Sequence, residues 1–160
     1  MTIRNILIFP DPKLREVAKE VTKFDEELKK LADDLLETMY KSNGIGLAAS
    51  QIGIPLRILV LDVSDEKNKP QIFVNPTVKI LDEKEKDGFD EGCLSIPSFY
   101  EEVIRPVNVE ISFYNIQGVQ KKILPKGLLG VVVQHEIDHL DGKLMVDYIS
   151  STKRQRIRSK

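Results

Sequence analysis

The chain has 160 residues, 41% hydrophobic and 31% charged, with 9 Gly and 8 Pro. This is ordinary globular composition at a length that supports one domain with a real core, so collagen-like, disordered and repeat classes are excluded. Its 24 basic and 25 acidic residues leave a net charge of −1, too balanced for a chain whose main partner is a nucleic acid backbone.

A lone cysteine allows no internal disulfide and points to a reducing compartment. No stretch approaches the roughly 18 apolar residues of a membrane span. The apolar run Ile6-Leu7-Ile8-Phe9 ends at Pro10-Asp11-Pro12 instead of at a signal cleavage site. A soluble, cytoplasmic protein is expected, with no membrane partner and no dedicated nucleic acid partner.

In chain order, the first plain element is a helix. Asp25 can cap it, Glu26 and Glu27 suit its positive end, and Leu28, Leu31, Ala32, Leu35, Leu36 and Met39 form one stripe before Asn43-Gly44 stops it. Short extended segments follow at Arg57 to Val63, Gln71 to Val74, Thr77 to Leu81, Val103 to Phe113 and Val119 to Leu124, rich in Ile and Val and separated by turn residues. Between them, Asp82 to Gly88 reads as a solvated turn. A second helix should begin near Lys126, and its almost all-round apolar start, Leu128, Leu129, Val131, Val132 and Val133, implies burial in the centre. Ser151 can cap a final basic helix. The fold class expected is α+β, with largely antiparallel strands around a central buried helix carrying HExxH, in a single domain over 1–160.

Both histidines of the chain lie in Gln134-His135-Glu136-Ile137-Asp138-His139. Four residues apart on a helix, His135 and His139 can present nitrogens to one ion, and Glu136 can serve a water beside it as general base. HExxH also arises by chance, but a buried apolar helix has little reason to carry two imidazoles and a carboxylate that bind nothing. A catalytic metal needs a third protein ligand. No His or Glu follows His139, so the strongest candidate lies upstream, Cys93 in Glu91-Gly92-Cys93-Leu94-Ser95; the alternative for Cys93 is a small buried hydrophobe. A third segment, Gly44-Ile45-Gly46-Leu47-Ala48-Ala49-Ser50-Gln51, reads either as a helix C-cap and tight turn or as a close-approach loop whose Gln51 amide can meet a developing oxyanion. It is not a phosphate cradle.

Together these segments resemble the peptide deformylase family, marked by Gly-φ-Gly-φ-Ala-Ala-x-Gln, Glu-Gly-Cys-Leu-Ser and Gln-His-Glu-x-Asp-His-Leu. All three stand here without mismatch at 44–51, 91–95 and 134–140. Pro10-Asp11-Pro12-x-Leu14-Arg15 and Asp147-Tyr148 also look like the family.

The resemblance implies a metal-dependent hydrolase that removes the N-formyl group from the formylmethionine of nascent polypeptides and releases formate. It implies one Fe2+ per chain, with Ni2+, Co2+ or Zn2+ able to substitute, held by Cys93, His135 and His139. It makes Glu136 the proton shuttle, and Gln51 with the backbone N–H of Leu94 the oxyanion donors. The backbone of Ile45, Gly46 and Gly92 would bind the N-formylmethionyl peptide in extended form, and Phe89, Leu128, Val131 and Val132 would line the methionine pocket. Glu91 and Arg105 would form an ion pair that steadies the Cys93 segment. Some deformylases continue beyond the basic end, here Lys153 to Lys160, into a longer helix that docks on the ribosome, and a ribosome contact through the basic C-terminus is the corresponding expectation. A zincin-type metallopeptidase is the rival reading, weakened by the missing downstream ligand. A binding module with a structural metal would need a fourth Cys or His that the sequence lacks.

Overall fold

The computed structural model describes residues 3–149 and Thr152; the expected cap at Ser151 and the basic end lie outside the described residues. Helix α1 spans Glu26–Lys41, with the Asp25 carboxylate accepting from the Leu28 amide, a cap worth about 1 kcal/mol. Strand β1 (Gly46–Ala48) follows, then a single 3-10 turn over Ala49–Ile52. Strands β2 (Ile58–Leu61), β3 (Gln71–Ile80), β4 (Lys86–Cys93), β5 (Ile96–Pro106), β6 (Val109–Tyr114) and β7 (Gln120–Ile123) precede helix α2, Leu128–Leu140. A 3-10 turn at Met145–Tyr148 follows.

The strands form a five-stranded sheet, β1-β2-β3-β6-β7, and a two-stranded hairpin, β4-β5. Every strand pairing is antiparallel. The fold is a single α+β domain. All four residues of β2 are buried, because each face of the sheet is covered. Ile58 and Val60 join the cluster around Leu28, Leu31, Leu35 and Met39 of α1, while Leu59 and Leu61 join Phe73, Ile111, Val133, Ile137 and Leu140 beneath α2. Side chains alternate faces along a strand, so a continuous apolar run serves two cores. Every residue of α2 except Leu128, Leu129 and Asp138 is buried. A third cluster, with Phe9, Leu14, Ile96, Val103, Leu144 and Met145, fixes the hairpin to both ends of the described chain.

Several boundaries differ from the sequence expectation. Gln71 to Val74 and Thr77 to Leu81 are one strand, β3, interrupted by a register shift between Val74 and Thr77. Asn75 takes φ 50° there, with its side-chain amide donating to the Val21 carbonyl and accepting from the Val21 amide. Val103 to Phe113 is two strands, since the chain turns after Pro106 and passes from the hairpin to the larger sheet. The expected solvated turn ends earlier, because Lys86, Asp87 and Gly88 already pair with β5. β1 also forms a strand where the sequence left a cap or loop.

Candidate active site

The site is assembled from three places in the fold. The β4-β5 hairpin turns over two residues, Leu94 and Ser95, so that Cys93 pairs with Ile96 at the strand end. α2 passes alongside and presents His135 and His139 one turn apart. The ring nitrogens and the thiol converge: Cys93 Sγ lies 3.3 Å from His139 Nε2, and that nitrogen lies 3.3 Å from His135 Nε2. One donor atom from each of the three residues falls within 4.8 Å of the others. A soft thiolate with two imidazoles is a donor set that suits Zn2+, Fe2+, Ni2+ or Co2+, and it leaves a position open where a closed structural site would have a fourth ligand. The residues present therefore fit a catalytic metal.

The tautomer of His135 is set from behind. Its Nδ1 lies 2.8 Å from Glu91 Oε1. Arg105 grips the same carboxylate with Nε to Oε2 at 2.6 Å and Nη2 to Oε1 at 2.9 Å. Burial pushes the Glu91 carboxyl up, but the bonds and charges of Arg105 and His135 outweigh it and hold it below the usual range. An ionised Glu91 must accept, so His135 donates from Nδ1. Burial lowers this imidazole, but its hydrogen bonds to Cys93 and Glu91 and the charges of Glu136 and Cys93 outweigh it and hold it well above the usual range. Without an ion Nε2 therefore also carries a proton, which a bound metal would displace. His139 is pushed well below the usual imidazole range by burial first, then by the charges of His135 and Arg105. It is therefore neutral, as a ligand must be.

Glu136 stands beside this group with only 4% of its surface exposed, and its Oε1 has no hydrogen-bond partner within the protein. Burial raises its carboxyl to about 7, with the charges of Glu91 and Asp138 adding and those of His135 and Arg105 opposing. A carboxyl that gains and loses a proton near neutrality is suited to acid and base work in one cycle. Gln51 approaches from the 3-10 turn after β1. Its carbonyl accepts from the Ala48 amide at 2.9 Å, which aims Nε2 at Ser95 Oγ, 3.1 Å away, and at Cys93 Sγ, 3.6 Å away.

A cavity of about 460 Å³ opens over these groups, lined by Gly44, Ile45, Gly46, Gln51, Glu91, Gly92, Cys93, Leu94, Leu128, Val131, Val132, His135 and Glu136 among others. Its two walls are β1, an edge strand of the larger sheet, and β4, which pairs only with β5. The Ile45 carbonyl is already used by the Asp62 amide at 2.9 Å. Gly92 is matched with Tyr100 across the hairpin, and the ladder then skips Pro97-Ser98-Phe99 before resuming at Cys93 and Ile96.

Of the sequence-predicted residues, Phe89 alone stands apart from the site. It is half-buried opposite Val103, two positions up β4 from Glu91, and a strand carries it roughly 6–7 Å further from the mouth. His139 lies behind the lining, within the donor cluster. The expected Glu91–Arg105 pair is present and buried. Sequence reading passed over Ser95, which orients Gln51, and Asp138, which takes Arg105 Nη1 at 2.9 Å. A carboxylate three residues from His135 on an apolar helix is the signal that could have drawn attention to Asp138. The outlying motifs near the two ends of the chain prove to be one contact: Arg15 clasps Asp147 through its two terminal guanidinium nitrogens, at 2.6 and 2.8 Å.

An α+β domain that brings a thiol, two imidazoles and a carboxyl of raised pKa to the floor of a peptide-sized cleft belongs to the metal-dependent hydrolases. The family model described as polypeptide deformylase matches residues 3–155. The peptide deformylase of Cellvibrio japonicus is 51% identical over 160 residues, covering 100% of this chain and 94% of that protein. That of Pseudomonas aeruginosa is 50% identical, covering 100% of this chain and 95% of its own. The crystal structure of a peptide deformylase from Legionella pneumophila superposes with a TM-score of 0.93 at 43% identity, covering 99% of this chain and 93% of that one. A peptide deformylase from Ehrlichia chaffeensis, crystallised in complex with actinonin, gives 0.93 at 36% identity, covering 99% and 95%. The chain belongs to the polypeptide deformylase family. It is a metal-dependent hydrolase of protein biosynthesis that removes the N-formyl group from nascent polypeptides.

Proposed function

We propose that Cys93, His135 and His139 hold one Fe2+ per chain, and that Glu136, Gln51 and Leu94 carry out hydrolysis of the formyl amide around it. The observation that carries this reading is the convergence of the three donor atoms within 4.8 Å beside a buried Glu136. Bound there, the ion would supply a positive charge that acidifies a water and polarises the formyl oxygen. Glu136 Oε1, unpartnered within the protein, takes the proton of the attacking water and returns it to the amine as the C–N bond breaks, leaving formate and a free N-terminus. Gln51 Nε2 and the Leu94 amide donate to the oxygen that becomes negative during attack. No residue becomes covalently attached to substrate.

The formylmethionyl peptide lies extended in the cleft. The backbone of Ile45 and Gly46 on β1 and of Gly92 on β4 addresses it, in the manner of a strand added to a sheet edge. Since the Ile45 carbonyl serves Asp62, its N–H is the group left for substrate. Leu128, Val131 and Val132 line the methionine pocket; Phe89 would act only from outside the cavity wall. Glu91 and Arg105 steady Cys93 and fix His135. HExxH thus sits on a central buried helix, and 1–160 forms one catalytic domain. A cytoplasmic location, where nascent polypeptides emerge, belongs to this reading. Contact with the ribosome through the basic C-terminus belongs to the same reading, with Lys153 to Lys160 as its support.

Turnover of formyl-Met peptides and of the same peptides unformylated, by anaerobically prepared protein with Fe2+, Ni2+ or Zn2+, tests the proposal. Hydrolysis of the formylated set alone, fastest with Fe2+ or Ni2+ and abolished by chelation, is expected. Internal peptide-bond cleavage would favour the zincin reading.

A further inference from the structure

Behind the donor cluster, one guanidinium is shared between two carboxylates. Arg105 gives Nε and Nη2 to Glu91 and Nη1 to Asp138. Glu91 and Arg105 side chains are only 3% and 4% exposed, and Asp138 is 16% exposed. In so dry a place the two acids compete for one cation, and whatever satisfies Asp138 leaves Arg105 more fully to Glu91. That partner is Tyr148, whose hydroxyl donates to Asp138 Oδ2 at 2.7 Å and whose ring lies 5.0 Å from the Arg105 guanidinium carbon. One side chain therefore both occupies the competing acid and covers the cation from water. The turn that carries it is pinned in turn by Asp147, which holds Arg15 and accepts from the Leu144 amide at 3.0 Å.

We infer that Tyr148 is a positioning residue for the metal centre: by holding Asp138 it keeps Arg105 on Glu91, and through Glu91 keeps His135 turned with Nε2 toward Cys93. The inference rests on the metal-centre reading above. Tyr148 is itself 44% exposed, so removing its hydroxyl should disturb the relay far more than the fold.

The test is release of Ni2+ from the loaded full-length protein into excess chelator, with thermal unfolding measured alongside. Direct outer partners of metal-bound histidines typically alter affinity by about 10–100-fold. Tyr148 reaches His135 through four hydrogen-bonded links, by way of Asp138, Arg105 and Glu91, and Tyr148→Phe is expected to speed release by about 3–10-fold, with the melting midpoint moved by no more than about 2 °C. Asp138→Asn removes the competing charge itself and should leave release no faster than in the wild type, and the double variant Tyr148→Phe/Asp138→Asn should match Asp138→Asn, since the hydroxyl acts through that carboxylate. Wild-type release rates in Tyr148→Phe, additive effects in the double variant, or a large fall in melting midpoint would each overturn the relay. Failure of the wild-type chain to take up Ni2+ would remove the metal centre itself and the relay with it, whereas uptake with unchanged release in Tyr148→Phe removes the relay alone.

Discussion

A Cβ built on Gly46 would stand 2.6 Å from Glu136 Oε2 and 2.9 Å from Val132 Cγ1. The edge strand β1 and the helix α2 therefore approach so closely that the carboxyl of Glu136 occupies the space a side chain would need. Gly46→Ala should push that carboxyl aside by a fraction of an ångström to an ångström, a displacement that costs about 10²-fold in turnover when the group moves protons. Metal content should remain that of the wild type. Unchanged kcat in Gly46→Ala would show that Glu136 needs no such close fit.

Glu136→Gln keeps the shape of the side chain and removes its ability to take a proton. The expected result is full metal occupancy with turnover reduced by at least about 10²-fold. Metal analysis and steady-state rates on the same preparation decide it, and loss of the ion together with activity would make Glu136 a ligand.

Gln51 is held at both ends, by the Ala48 amide and by Ser95 Oγ. Gln51→Leu should lower kcat by roughly 10²–10³-fold with KM and metal content little changed, the effect of losing one oxyanion donor. A change confined to KM would make Gln51 a binder of ground-state substrate.

How far these groups could be read from the sequence follows from the range of the interactions. The helix α1 was legible because its cap, acidic first turn and apolar stripe are local, and Asp25 does cap it. The donor residues were legible because their types are rare in this chain, one Cys and two His. β1 was not, since Gly46-Leu47-Ala48 is too short for alternation and owes its strand form to β2. β4 was hidden by polar residues, Lys86, Asp87 and Asp90, whose exposed faces carry no apolar signal. The hold of Tyr148 on Asp138 spans a turn and ten residues, and no local pattern announces it.

Away from the cleft, Asp62 is fully buried at the end of β2. Burial alone would raise its carboxyl, but the Ser64 hydroxyl and amide, the Tyr40 hydroxyl and the Lys69 amide all donate to it and hold it at about 2, against an ordinary 3.8. The folded state favours the ionised form, so this contribution to stability is complete above about pH 4–5 and is lost as pH falls toward 2. Denaturant midpoints of wild type and Asp62→Asn should therefore differ at pH 7 and draw together in acid. A gap that stays constant with pH would assign the loss to packing.

The central claim is that one thiolate and two imidazoles hold the catalytic ion. X-ray absorption at the metal edge of Ni2+-loaded protein reads those ligands directly. The account predicts one sulfur and two imidazole scatterers in the wild type, with the sulfur gone and metal affinity and deformylation both lost in Cys93→Ser. A wild-type shell of nitrogen and oxygen alone, or tight occupancy and normal turnover in Cys93→Ser, would contradict it.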